Sequence, residues 1–205
     1  MTFIAFLIAA VVLAITPGPG IAYVVARTAA AGRAEGLASC MGTGIGGMFH
    51  VLASALGLSL VIAQSAIAFN LIKYLGAAYL VYLGLRLLFS KAHGIALAPA
   101  PVQGARRAML EGIVVEAFNV KTALFFLAFL PQFVAPGEPL AMQLILLGSI
   151  CVALNTGVDV LAVFAADRLL KSNASQAARA RLLTWFSGIT LIGLGTYLAL
   201  ARRST

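Results

Sequence analysis

The chain has 205 residues, 62% of them hydrophobic and only 10% charged, with a net charge of +8 and a mean hydropathy of +1.04. A soluble domain is about half apolar and about a quarter charged, so this composition excludes that class and points to one integral membrane domain, its loops too short for another. The basic residues lie between apolar runs, as in the cytoplasmic loops of a membrane protein, which argues against nucleic acid as a partner.

The apolar start at residues 3–15 has no Lys or Arg before it and no cleavage site after it, and is expected to stay as the first span. A membrane helix takes about 20 mostly apolar residues, and the charges divide the chain into six such segments, at about 2–26, 36–63, 71–89, 108–131, 140–166 and 182–201. A weak turn is expected at 64–70, and a polar linker at 91–107 separates two halves of three helices. Ten basic residues, Arg27, Arg33, Arg86, Lys91, Arg106, Arg107, Arg168, Lys171, Arg179 and Arg181, fall in the first, third and fifth connections. Those connections are therefore expected to be cytoplasmic, with the N-terminus outside; Arg202 and Arg203 run against this and would fit a re-entrant segment. Three spans per half make the second half enter from the opposite side, an inverted repeat of the kind transporters use.

Inside the first span stands Thr16-Pro17-Gly18-Pro19-Gly20. Two prolines delete two backbone donors and free the carbonyls of Leu13 and Ile15, so the helix is expected to break there. Free carbonyls at membrane depth persist only inside protein or beside a wet cavity, which favours a substrate site over a packing kink.

The second span carries Gly42, Gly46, His50, Ser54 and Gly57 along one face, a close-packing seam. His50 near mid-span is either a proton-exchanging group or a neutral ring bonded to a neighbouring carbonyl. In the fourth span Glu111 is placed at the interface with Arg106 and Arg107, while Glu116, Asn119, Lys121 and Thr122 lie deeper. Lys121 is too far from either end to snorkel and needs a carboxylate, a carbonyl or a ligand as partner. On a continuous helix it points away from Glu116, so a pair between them requires a break or another helix's acid. In the fifth span Asn155, beside Thr156, and Asp159 share a face, and Asp159 either couples protons or neutralises Lys121. Cys40 and Cys151 sit in apolar segments as packing residues, and neither a metal site nor a cofactor is expected. No nucleophile elbow, zinc helix or phosphate loop is present, which argues against an enzyme.

These residues resemble the LysE/RhtB family of small amino-acid exporters. The resemblance rests on Thr16-Pro17-Gly18-Pro19, on Gly32-Arg33-Ala34-Glu35-Gly36-Leu37, on Gly76-Ala77-Ala78-Tyr79-Leu80 with Tyr82-Leu83-Gly84, on Phe118-Asn119-Val120-Lys121, and on the run from Phe125 through Pro131 to Phe133. It implies a carrier in a bacterial inner membrane that exports amino acids on the proton gradient. It places the family's motif residues on Thr16, Pro17, Gly18, Pro19, Asn119 and Lys121, and its fifth-helix aspartate on Asp159. Two positions depart. Val120 stands where the family has the proline of Asn-Pro-Lys, so a second broken helix is not expected from the sequence. Gly20 stands where the family often has asparagine.

The expected site is a midplane one. Thr16, Pro17, Gly18, Pro19, Asn119, Lys121 and Asn155 would bind substrate, and Asp159, Glu116 and His50 would handle the ammonium or the proton. Competing readings are a small channel, an exporter of a metal ion or other solute on the same scaffold, and a membrane enzyme or assembly factor without transport. Glycine-lined faces left unpaired by six short helices are compatible with a homodimer.

Overall fold

The computed structural model describes residues 2–58, 66–89, 102, 104–135 and 137–170, together with positions 189, 192, 193, 196, 199 and 200. Every regular element among them is helical: α1 (Thr2–Ile15), α2 (Pro19–Ala31), α3 (Arg33–Ala53), α4 (Ala66–Phe89), α5 (Ala105–Ala117), α6 (Val120–Leu124) and α7 (Leu140–Leu170). A wide turn, Ser54–Leu58, continues α3, and a wide turn followed by a tight one carries α6 on to Phe133.

The first span is broken as the sequence requires. α1 stops at Ile15, Pro19 occupies the first turn of α2, where its missing N–H costs nothing, and the two pieces meet at 44°. The fourth span is broken too, at 43°, although Val120 replaces proline. Asn119 takes over the work of the proline: its extended backbone ends α5, and its carboxamide oxygen accepts from Lys121 N at 3.1 Å to cap α6. A capping side chain can start a new helix without deleting a donor, which is why the proline rule missed this break.

Boundaries shift elsewhere. α2 runs to Ala31 and turns into α3 at Gly32 alone, whose φ of 79° is the left-handed region that favours glycine. α4 begins at Ala66, so positions 66–70 of the expected turn at 64–70 are helical, and α5 begins at Ala105, inside the expected linker. Most of that linker and, but for the isolated helical positions, the sixth span lie outside the described residues. Among the described residues, two helices, Arg33–Gly57 and Leu140–Ala166, are long and apolar enough to cross a membrane, and each broken pair adds one more if it is a single span.

The expected seam on α3 holds for Gly42, Gly46, His50 and Ser54, all buried, but Gly57 is exposed. The wide turn starting at Ser54 inserts extra rotation and carries Gly57 off the face. Where the seam holds, backbones touch. A Cβ on Gly46 would stand 2.6 Å from Ile113 O, and one on Gly112 would stand 2.9 Å from Ser39 O. α3 therefore packs directly on α5, with α2 and α7 closing around them.

Candidate functional site

The two breaks face each other across the bundle. Pro17 has no N–H for Leu13 O, which keeps only the tighter-turn bond from Thr16 N at 3.2 Å and has a lone pair to spare, and Lys121 from the second break takes it. Its Nζ donates to Leu13 O at 3.1 Å and to Thr16 O at 2.8 Å. Thr16, rather than the expected Ile15, gives the second carbonyl, while the Thr16 hydroxyl turns back to Val12 O at 2.6 Å. Lys121 is buried, and among the described residues it forms no ion pair with a carboxylate. Its ammonium carries three donors, of which two are used by these carbonyls.

Glu116 ends α5 on the other side of Asn119. Its Oε1 accepts from the Thr122 hydroxyl at 2.6 Å and its Oε2 from Asn119 Nδ2 at 2.9 Å, so both oxygens are held by residues of the next helix. Only a broken helix allows this, since a continuous one would carry Thr122 round to another face. Gly20 lies against the same carboxylate: a Cβ there would stand 2.5 Å from Glu116 Oε2. The departure at Gly20 thus clears the room that the Glu116 side chain fills. Asp159 on α7 accepts from the Thr43 hydroxyl of α3 at 2.9 Å.

These groups line one cavity, together with Ala14, Gly20, Ile21, Gly47, Val152, Asn155 and Thr156. It measures about 20 Å³, room for about one water. Of the residues expected at a site, Asn119, Lys121, Asn155, Glu116 and Asp159 are on its wall. Thr16, Pro17, Gly18 and Pro19 are not; they stand behind Lys121, which Thr16 holds by its carbonyl and Gly18 by close approach, a Cβ on Gly18 lying 3.0 Å from Lys121 Cε. His50 is not on the wall either. Its Nε2 lies 2.8 Å from the carbonyl of Glu116, and since a carbonyl only accepts, Nε2 carries the hydrogen. Its ring rests near Phe126, centroids 5.9 Å apart. Thr43 was missed by sequence reading; its spacing of four from Gly47 and seven from His50 places it on the seam face and was the available signal.

Comparison with known proteins agrees with the residues. A family model described as LysE type translocator matches residues 11–202. The uncharacterized membrane protein YrhP of Bacillus subtilis is 30% identical over 206 residues, which cover 95% of this chain and 96% of the relative. An uncharacterized membrane protein of Vibrio cholerae is 28% identical over 203 residues, 98% and 97% of the two chains. The homoserine/homoserine lactone efflux protein of Salmonella typhimurium is 32% identical over 152 residues, 72% and 73% of the two chains. No solved structure matches the chain.

Proposed function

We propose, from the premise that this chain belongs to the LysE type translocator family, that it is an inner-membrane secondary exporter of an amino acid or a close derivative. Proton-coupled alternating access at the cavity between the two broken helices would move the substrate. The observation that carries this reading is the pairing of the Lys121 ammonium with the carbonyls of Leu13 and Thr16 at the first break, beside Glu116 and Asp159. A zwitterion offers a carboxylate and an ammonium, and this wall offers the complement of each. The third donor of Lys121 would take the substrate carboxylate, helped by Asn119 and Asn155, and Glu116 or Asp159 would take the ammonium or a proton.

Room for about one water cannot hold an amino acid, so the bundle must open to load it. The similar bends of the first and fourth spans, 44° and 43°, support two related halves, hence six spans in two inverted sets of three. The efflux protein of Salmonella typhimurium among the relatives supports export of a small amino-acid-like solute.

Efflux from cells loaded with a panel of dipeptides tests the reading, comparing the native chain with Lys121→Ala and Asp159→Asn at matched membrane abundance. One amino acid is expected to leave faster with the native chain, and each substitution is expected to slow its release by about tenfold or more, the scale of losing one charged contact in a dry site. No accelerated release of any amino acid, with the protein present in the membrane, overturns it. One-for-one exchange of a proton for a zwitterion moves charge, so collapsing the membrane potential should also change the rate.

A further inference from the structure

Between the cavity and one end of the bundle lie two closed layers. In the first, Val24, Cys40 and Val163 are buried against each other with Val160 beside them, a cluster separate from the main apolar core. Each member sits about one helical turn beyond a cavity residue: Val24 beyond Gly20, Cys40 beyond Thr43, Val163 beyond Asp159. A further turn along, charged groups replace apolar ones. Arg27 of α2 is buried between two acids, its Nη1 3.7 Å from Glu35 Oε2 of α3 and its Nη2 bonded to Glu111 Oε2 of α5. Tyr23 ties α2 to α5, its hydroxyl donating to Ala108 O at 2.9 Å and lying 3.2 Å from Glu111 Oε2.

The other end of the cavity is closed by a much larger plug. Phe6, Leu13, Phe125, Phe126, Phe129 and Leu144 belong to one continuous apolar cluster. Separating it would expose several aromatic rings. Among the described residues, opening the opposite end separates the smaller Val24–Cys40–Val163 cluster, the Tyr23–Ala108 hydrogen bond and the Arg27 clamp on Glu35 and Glu111. Glu111 is one-third exposed and also accepts from Arg107 Nε at 3.1 Å, so it has a second cation to turn to when Arg27 leaves.

From this, and resting on the exporter reading above, we propose that Arg27, clamped between Glu35 and Glu111 over the Val24–Cys40–Val163 layer, is the gate that opens the cavity to the face carrying the first and third connections. Gly104 N donates to Glu35 Oε1 at 2.6 Å, so the end of the third connection is tied to the same gate and moves with it.

Cys40, inside the apolar layer, reports the gate without any knowledge of the substrate. The full chain in vesicles of each orientation is treated with a membrane-impermeant maleimide, as the native sequence and as Glu111→Gln and Glu35→Gln. Cys40 is expected to react about tenfold faster in either variant, from the face of the first and third connections alone, while Cys151 in the aromatic cluster stays protected. Protection of Cys40 in both variants, reaction from the opposite face, or equal reaction of Cys40 and Cys151 overturns the gate. A second arm separates a gate from a fixed brace: Tyr23→Cys with Glu111→Cys, joined by a short bifunctional thiol reagent. Efflux of the released amino acid is expected to stop on joining, and efflux that continues overturns the proposal. The labelling arm stands whatever the efflux panel shows, so the gate and the exporter reading fail separately.

Discussion

Lys121 shows how a basic side chain is held at membrane depth without a direct ion pair among the described residues. Two main-chain carbonyls at the end of α1 take two of its three donors, and in return it holds α1 against α6. His50 performs a related service on the other side of the second break, donating to the Glu116 carbonyl where α5 ends. That geometry makes His50 a positioning residue in our reading, separated from the cavity by the helix end it supports. A carboxamide can also donate to a carbonyl, so His50→Gln should keep export within about threefold and leave its pH profile unchanged, while His50→Leu should lose most of it. A pH profile displaced in His50→Gln at normal abundance would instead make the ring a proton carrier.

At the scale of the element, the second break depends on Asn119 doing with a side chain what proline does with a ring. Val120 occupies the first position of α6, partly exposed, where an N–H has no partner within the helix. Proline suits that position, and the extended backbone of Asn119 suits a following proline. Val120→Pro is therefore expected to fold to native abundance, with a melting temperature at or above that of the native chain. It should also make the Asn119 cap less necessary, so that Asn119→Ala costs about 1 kcal/mol alone and less in the Val120→Pro background. Additive losses in a thermal-shift series would show that Asn119 acts through Glu116 instead of through the cap. The α3–α5 seam is the other element-scale device, where small residues let two backbones meet and fix the wall of the cavity.

For the whole molecule, the clearest long-range constraint is that residues near 27–35 and residues 104–111 meet at one end. The first and third connections thus meet at one end of the bundle, and we expect them on one face of the membrane, as the basic residues of the sequence imply, with the chain between them crossing an even number of times. Cysteines placed at exposed Ala34 and Val102 should react from one face, and a cysteine at exposed Glu138 from the other. The inward face is expected for the first two, tested with an impermeant thiol reagent on whole cells and on inverted vesicles. Reaction of Val102→Cys and Glu138→Cys from the same face would mean that the broken helix from Ala105 to Phe133 turns back within the membrane instead of crossing it.

The sequence by itself determined the membrane class of the protein, the break at Thr16–Gly20 and the family, because hydropathy, proline chemistry and motif residues act locally along the chain. It also marked Lys121, Glu116, Asn119, Asn155 and Asp159, since polar groups at membrane depth stand out against an apolar background. Only the tertiary structure decided their partners. That Lys121 takes the carbonyls of Leu13 and Thr16, that Asp159 takes Thr43, and that His50 serves a carbonyl follow from which helix lies beside which, and spacing along one helix carries no such information. Arg27 makes the same point. In the sequence it reads as one more basic residue at a span end, yet in the fold it is buried between Glu35 and Glu111, because α2, α3 and α5 converge there and exclude the water that would otherwise have held its charge.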